Sequence, residues 1–169
     1  RKKDWRQRKM LQNEPVFRKL GPDDLDEVLH VERLSFSRPW SREAYGHELA
    51  DNPLASLYGF FDGDRLFAFI CFWMIVDEIH IGNIAVHPAY RRQGFGELLL
   101  RRVMAICQGQ GGKRMTLEVR KRNFPARDLY IKLGFTIEGE RRDYYQDPKD
   151  DALIMWLDLS AANAAAGSE

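Results

Sequence analysis

A strand, a glycine turn and a helix in immediate succession constrain this chain more than any other stretch. Ile79–Val86 is an apolar, strand-like run, and Gly94–Gln110 has helical periodicity; Arg91-Arg92-Gln93-Gly94-Phe95-Gly96 lies at their junction. The first backbone N–H groups of a helix have no partner within it, and the aligned peptide dipoles place partial positive charge there. Gly94 and Gly96 carry no Cβ, so an anion can come close to the main chain. Arg91 and Arg92 add guanidinium groups suited to phosphate oxygens. The segment therefore reads as a phosphate cradle.

Two common nucleotide loops are excluded. A P-loop needs Gly-Lys-Ser/Thr after its glycines, and Glu97-Leu98-Leu99 follows here. A dinucleotide fingerprint needs a third small residue where Leu99 stands. As a bare pattern, an ordinary helix-starting turn remains open, so the surrounding sequence has to decide.

The 169 residues, 44% apolar and 30% charged, suit one globular domain with a sizeable core. A net charge of +1 argues against a protein-wide nucleic-acid surface. Cys71 and Cys107 lack metal-ligand spacing and read as free thiols of a reducing compartment, and no metal site is expected. The longest apolar run, Leu66–Val76, is too short to span a membrane. The expected location is the cytoplasm, or an organellar stroma or matrix if a transit peptide has been removed. Residues 1–14 are rich in Arg and Lys; a mobile segment is expected there, with an RNA-touching arm as the alternative. Residues 15–159 form the expected domain, and the Ala-rich stretch 160–169 a tail.

Pro15–Leu20 alternates as a strand, and Asp23 is a candidate N-cap for a helix carrying Leu25, Val28, Leu29 and Leu34. Phe36-Ser37-Arg38-Pro39-Trp40 ends that helix, and Ser41 caps a second one running to about Asp51-Asn52-Pro53. Ser56–Phe61 and Arg65–Val76 are strands joined by an Asp62-Gly63 hairpin turn, and Glu78–Val86 is the next. In the helix Gly94–Gln110, Phe95, Leu99, Val103 and Ile106 mark the apolar face, and Gly111-Gly112 closes it. Met115–Val119 is a strand, Asn123 caps a helix to Leu133, and Phe135–Arg142 and Ala152–Leu159 complete the set. The order β-αα-βββ-α-β-α-ββ implies an α/β fold: a mixed, mostly antiparallel sheet of about seven strands with helices on both faces.

Arg91-x-x-Gly94-x-Gly96 resembles the pyrophosphate loop of the GCN5-related N-acetyltransferases (GNAT), written R/Q-x-x-G-x-G/A. The element order matches as well. Further blocks are similar to the bacterial ribosomal-protein alanine N-acetyltransferase branch: Phe36–Ser41, Asn83–Pro88, Leu117–Arg120 with Asn123, Leu129–Phe135, Arg141–Tyr145 and Asp151–Met155. They run in order from about residue 36 to 155. The resemblance implies acetyl-CoA as co-substrate, held where the fourth and fifth strands splay apart. It further implies that Ile84, Ala85 and Val86 offer main-chain groups to the acetyl and pantetheine portions. Arg91, Arg92, Gln93, Gly94, Phe95, Gly96 and Glu97 would hold the pyrophosphate, and Asn123 would contact the coenzyme beyond it.

Attack of an amine on a thioester needs a neutral nucleophile, a stabilised oxyanion and a protonated leaving thiol. By resemblance Glu118 is the general base and Tyr130 the general acid. From spacing alone, a solvent-facing strand end is the better reading of Glu118, and Tyr130, in register with Ala126 and Leu133, reads equally as a core residue. Glu78 and His80 share one strand face, where a histidine could relay protons; two surface polar residues are the simpler reading. No nucleophile elbow is present, so direct transfer in a ternary complex is expected.

In the look-alike enzymes two loops flank the peptide entrance, here Phe36, Pro39 and Trp40, and Arg142, Tyr144 and Tyr145. Asp143 takes a place where the family can carry Asn. The expected acceptor is a protein N-terminus, with the terminal alanine of a small-subunit ribosomal protein leading. An α-amine titrating near pH 8 is neutral roughly a tenth of the time at pH 7, a lysine about once in several thousand. The alternatives are lysine or small-amine acetylation, and a non-catalytic module that senses acetyl-CoA.

Overall fold

The structure is a computed structural model and describes residues 11–160, so the expectations for the basic segment up to residue 10 and the tail from 161 lie outside the described residues. The elements are β1 (Val16–Lys19), α1 (Leu25–Ser35), α2 (Arg42–Ala50), β2 (Ala55–Asp62), β3 (Arg65–Ile75) and β4 (Glu78–Val86). There follow α3 (Phe95–Gly109), β5 (Arg114–Arg120), α4 (Phe124–Lys132), β6 (Thr136–Gln146) and β7 (Lys149–Asp158), with 3-10 turns at Pro22–Asp24 and Pro88–Tyr90. The strands form one mixed sheet in the order β1-β2-β3-β4-β5-β7-β6. β1/β2, β5/β7 and β6/β7 are antiparallel, and β4/β5 is parallel. The parallel ladder covers Glu78–His80 against Arg114–Thr116 and goes no further, although β4 continues to Val86 and β5 to Arg120.

Contacts gather the described residues into two compact units, 11–72 with 83–103 and 73–82 with 104–160. The core of the first is β3. Its residues Leu66–Phe72 are all 2% exposed or less, so the strand reads as a continuous apolar run rather than an alternating one. Val28, Leu29 and Val31 of α1 and Tyr45 of α2 are buried in the same unit. The expected Asp23 cap is displaced by one residue. The chain enters α1 through a 3-10 turn, which leaves Asp24 the residue able to reach back and accept the Gly21 N–H at 2.9 Å. Asp24 also meets Arg18 at 2.8 Å. Ser41 caps α2 as expected, its Oγ accepting the Ala44 N–H at 3.1 Å.

The β2–β3 turn likewise sits one residue later than expected, at Gly63-Asp64, with Gly63 at φ +59°. Asp62 ends β2 and is buried. Its carboxylate accepts the main-chain N–H groups of Gln12 and Asn13 at 3.2 and 3.0 Å and the Tyr90 hydroxyl at 3.3 Å. Burial alone would raise its pKa; these hydrogen bonds outweigh burial and hold it below the usual carboxylate value.

In the second unit, Met115, Leu117 and Val119 of β5 are buried, Thr116 is buried with its hydroxyl on the Met155 carbonyl at 2.9 Å, and Glu118 is exposed. Met115, Leu117 and Val119 pair with Leu157, Met155 and Leu153 of β7. The apolar face of α3 is broader than the expected stripe. Leu100 and Cys107 are fully buried while Ile106 is half-exposed, because a 3.6-residue period drifts across the stripe. Gly111 at φ +87° lets Gly112 donate its N–H to the Cys107 carbonyl at 2.8 Å and end the helix. β6 continues past Arg142 to Gln146, and β7 starts at Lys149. Arg141–Tyr145 is therefore part of a bulged strand, not a loop. An apolar pattern could not reveal this, since β6 is an edge strand held by main-chain pairing to β7 and lined with charges.

A Cβ at Gly59 would stand 2.7 Å from the Ala68 carbonyl oxygen and 2.5 Å from Leu66 Cδ1. Gly59→Ala is expected to cost about 1–3 kcal/mol in urea denaturation; a change within a few tenths would contradict this close approach.

Candidate active site

The glycine turn belongs to the first unit and is fixed at both ends by aromatic packing. Tyr90 stacks on Phe67 of β3 at 4.5 Å between ring centroids, and Phe95, the first residue of α3, meets the same ring edge-on at 4.7 Å. Arg91, Arg92, Gln93 and Gly94 are exposed between these anchors. Arg91 Nε donates to the Val86 carbonyl at 2.9 Å, tying the turn to the end of β4. Arg92 stands at φ +61° and Gly94 at φ +84°. Nothing lies within 4 Å of where a Gly94 Cβ would be, so open space faces the main chain there. The Gly94 carbonyl accepts the Leu98 N–H at 3.1 Å and opens the helical ladder. Helix geometry then leaves the N–H groups of Phe95, Gly96 and Glu97 without acceptors inside α3. Glu97 pairs with Arg101 at 3.1 Å. An exposed cradle of main-chain donors flanked by two guanidinium groups can take a phosphate.

The neighbouring strand end is less free than the sequence suggests. The Ile84 N–H is engaged by Asn83 Oδ1 at 3.1 Å, Ala85 is buried, and the Val86 carbonyl holds Arg91. Asn83 is itself held by a carboxylate to which the residue pattern drew no attention. Glu32 of α1 is fully buried and accepts the Trp40 N–H at 3.0 Å, the Tyr45 hydroxyl at 2.9 Å and Asn83 Nδ2 at 2.8 Å. Burial pushes the Glu32 pKa up, and these three donors pull it only part of the way back. Burial and the Glu32 charge together drive the Tyr45 phenol far above its ordinary value. The signal was a glutamate in line with Leu25, Val28 and Leu29 on the apolar face of α1. Trp40 is half-buried, with its ring on Tyr45 at 5.1 Å, while Phe36 and Pro39 are exposed.

The second unit brings Glu118, Arg141, Tyr144 and Tyr145 together. The Tyr144 hydroxyl donates to Glu118, and this bond, followed by the carboxylate's charge, raises the phenol's pKa. Arg141 approaches Glu118 at 3.7 Å. The bulge in β6 sets this up: Asp143 adopts φ +54° with its N–H on Asp151 Oδ1 at 2.8 Å. Arg120 lies 4.2 Å over the Tyr145 ring. Burial first, then the Glu118 charge, pushes Tyr145 up to about 12. Tyr130 is 7% exposed on α4, and burial followed by Tyr145 lifts its pKa to about 12. Asn123 caps α4 through Oδ1 with the Ala126 N–H at 3.3 Å, and Arg142 is exposed. Glu78 and His80 do pair, at 2.8 Å, with His80 edge-on to Trp156. Among the described residues there is no cluster of three or more His, Cys, Asp or Glu able to hold a metal, and no helix long and apolar enough to cross a membrane.

A mixed seven-stranded sheet that sets a glycine turn at the start of α3 is the frame of an acyl-transfer enzyme that uses a phosphate-bearing carrier. The chain belongs to the acetyltransferase (GNAT) family, whose model matches residues 25–135. Enzymes of this family draw their acetyl group from acetyl-CoA. A Bacillus subtilis relative is 36% identical over 150 residues, covering 89% of this chain and 99% of its own. The [Ribosomal protein bS18]-alanine N-acetyltransferase of Escherichia coli K12 is 34% identical over 143 residues, 83% of this chain and 95% of that protein. The crystal structure of the Escherichia coli ribosomal-protein-S18-alanine N-acetyltransferase superposes with a TM-score of 0.82 at 31% identity, covering 86% of this chain and 94% of that one. Ard1 from Thermoplasma volcanium follows with 0.78 at 26% identity, covering 85% and 97%.

Glu118→Gln should lower the Tyr144 phenol's pKa, because the carboxylate's charge and its charge-assisted hydrogen bond are lost while the smaller effect of burial remains. Phenolate absorbance titration, with Tyr144→Phe to assign the step, measures this. An unmoved Tyr144 midpoint would mean that the two groups do not meet.

Proposed function

We propose that this protein transfers the acetyl group of acetyl-CoA to the α-amine of a protein N-terminus, with the N-terminal alanine of ribosomal protein bS18 as its substrate. Similarity to an alanine N-acetyltransferase across 83% of this chain and 95% of that protein carries this reading. The main-chain N–H groups of the first turn of α3, with Arg91 and Arg92, suit the pyrophosphate. Asn123 spends Oδ1 on the helix cap and keeps its Nδ2 for a coenzyme oxygen. Bound acetyl-CoA supplies an activated thioester carbonyl.

Glu118 takes the proton of the incoming ammonium, directly or through a water. Its setting suits a general base, being a carboxylate at the exposed position of a strand whose other neighbours are buried, with Tyr144 donating to one side. An α-ammonium gives up its proton near pH 8, so a carboxylate base serves it better than it would a lysine. The phenol and ring faces of Tyr144 and Tyr145, with Phe36, Pro39, Trp40 and Arg142, receive the peptide.

Tyr130 holds the proton for the departing sulfur. With its pKa at about 12, full transfer to a thiolate whose conjugate acid titrates near 8.5 is uphill by about 3.5 units, on the order of 5 kcal/mol. An unperturbed phenol would face about 2 kcal/mol. Tyr130 therefore acts as a hydrogen-bond donor while the carbon–sulfur bond breaks, completing the transfer late.

Peptides differing in their first residue, each with an internal lysine, test the acceptor by mass spectrometry: one acetyl on the α-nitrogen of the alanine peptide is expected, and acetylation of the lysine alone would refute the reading. Glu118→Gln and Tyr130→Phe should each lower kcat by about 10²–10⁴-fold and leave coenzyme A affinity intact. Because Tyr130 stays protonated until about pH 12, activity should show no alkaline loss from it up to pH 10 or so. A Tyr130-dependent decline beginning near pH 9 would contradict this.

A further inference from the structure

We propose that Glu32 is a positioning residue that locks the loop Phe36–Trp40 to the strand end at Asn83, so that acceptor affinity depends on this one buried carboxylate. The inference rests on the proposal that Phe36–Trp40 receives the peptide. Glu32 holds both ends of the loop. Its main-chain carbonyl accepts the Phe36 N–H at 3.0 Å, and its carboxylate accepts the Trp40 N–H at 3.0 Å. The same carboxylate takes the Tyr45 hydroxyl from α2 and the Asn83 amide from β4. Asn83 Nδ2 also reaches the Tyr45 oxygen at 2.7 Å, while its Oδ1 holds the Ile84 N–H at 3.1 Å.

The chemistry of the position argues for a lock rather than plain packing. Glu32 lies beside Val28, Leu29 and Val31, which are at most 1% exposed. An apolar side chain there would fill the space but take the carboxylate acceptor away from the buried Tyr45 hydroxyl and from the part-buried Trp40 N–H and Asn83 amide. A carboxylate meets all three because it has two accepting oxygens and no donor. Glutamine keeps the shape but offers one oxygen and turns an N–H₂ toward the donors. A neutral isostere therefore loosens the loop without emptying the site.

The test uses Glu32→Gln and the milder Tyr45→Phe in the full chain. For Glu32→Gln, the KM for the N-terminal alanine peptide should rise about tenfold, the weight of one charge-assisted hydrogen bond, while kcat and coenzyme A affinity stay near wild type. For Tyr45→Phe the same split is expected with a smaller rise in KM. Amide hydrogen exchange reads the lock with no substrate present: the Trp40 amide should be protected in the wild type and exchange faster in Glu32→Gln. Failure of the wild type to acetylate any peptide N-terminus would refute the proposed function and leave this exchange result standing. A folded Glu32→Gln with unchanged peptide KM overturns the inference. So does an equal loss of coenzyme affinity and peptide affinity, or a Trp40 amide that is unprotected in the wild type. Should Glu32→Gln not fold, an unchanged peptide KM in Tyr45→Phe overturns it as well.

Discussion

The packing of two aromatic rings on Phe67 is the constraint from which the glycine turn follows. Phe67 lies on β3 with no exposed surface, and Tyr90 and Phe95 close on it at 4.5 and 4.7 Å. The four exposed residues between them have their end points fixed by burial rather than by their own contacts. That is how a turn with Arg92 and Gly94 in left-handed conformations persists on the surface. It also fixes where the first turn of α3 begins. The Tyr90 hydroxyl on Asp62 extends the anchor to the end of β2.

Two carboxylates with opposite surroundings divide the remaining work. Glu32 is out of water and fully occupied by donors; it cannot exchange protons with a substrate without dismantling a network that joins α1, α2, β4 and the Phe36–Trp40 loop. Glu118 is exposed, touched by one phenol and approached by one guanidinium. The same functional group is enclosed by donors in one place and open to solvent in the other, and this difference is what the proposed role of Glu118 draws on. Tyr45 and Tyr130 show the parallel contrast among phenols: Tyr45 serves Glu32 from the interior, while Tyr130 has no carboxylate partner among the described residues and keeps its proton at any ordinary pH.

The sequence was most legible where apolar periodicity and terminal signals coincide. The strand–turn–helix from Glu78 to Gly109, the Ser41 and Asn123 caps and the close of α3 at Gly111-Gly112 are all where the residues put them. It was least legible where main-chain pairing acts without burial. β6 past Arg142 has no apolar alternation, so the bulge that turns Tyr144 onto Glu118 could not be foreseen from residue pattern. Glu32 was hidden for a different reason. A glutamate on a helix reads as a solvated face unless its place in the stripe is counted, and its donors come from 8, 13 and 51 residues away in the chain. Asp24 and the Gly63-Asp64 turn were each displaced by one residue, the ordinary error where a short 3-10 turn or a two-residue loop sets the register.

The central claim is that the main chain around Gly94 grips coenzyme A. Isothermal titration of coenzyme A into the wild type and into Gly94→Val tests it most directly, because valine both strains the φ +84° conformation and fills the open approach. The account expects clear binding by the wild type and at least a tenfold loss in the variant, about 1.4 kcal/mol. Equal binding by both proteins, or no heat with either, would contradict it.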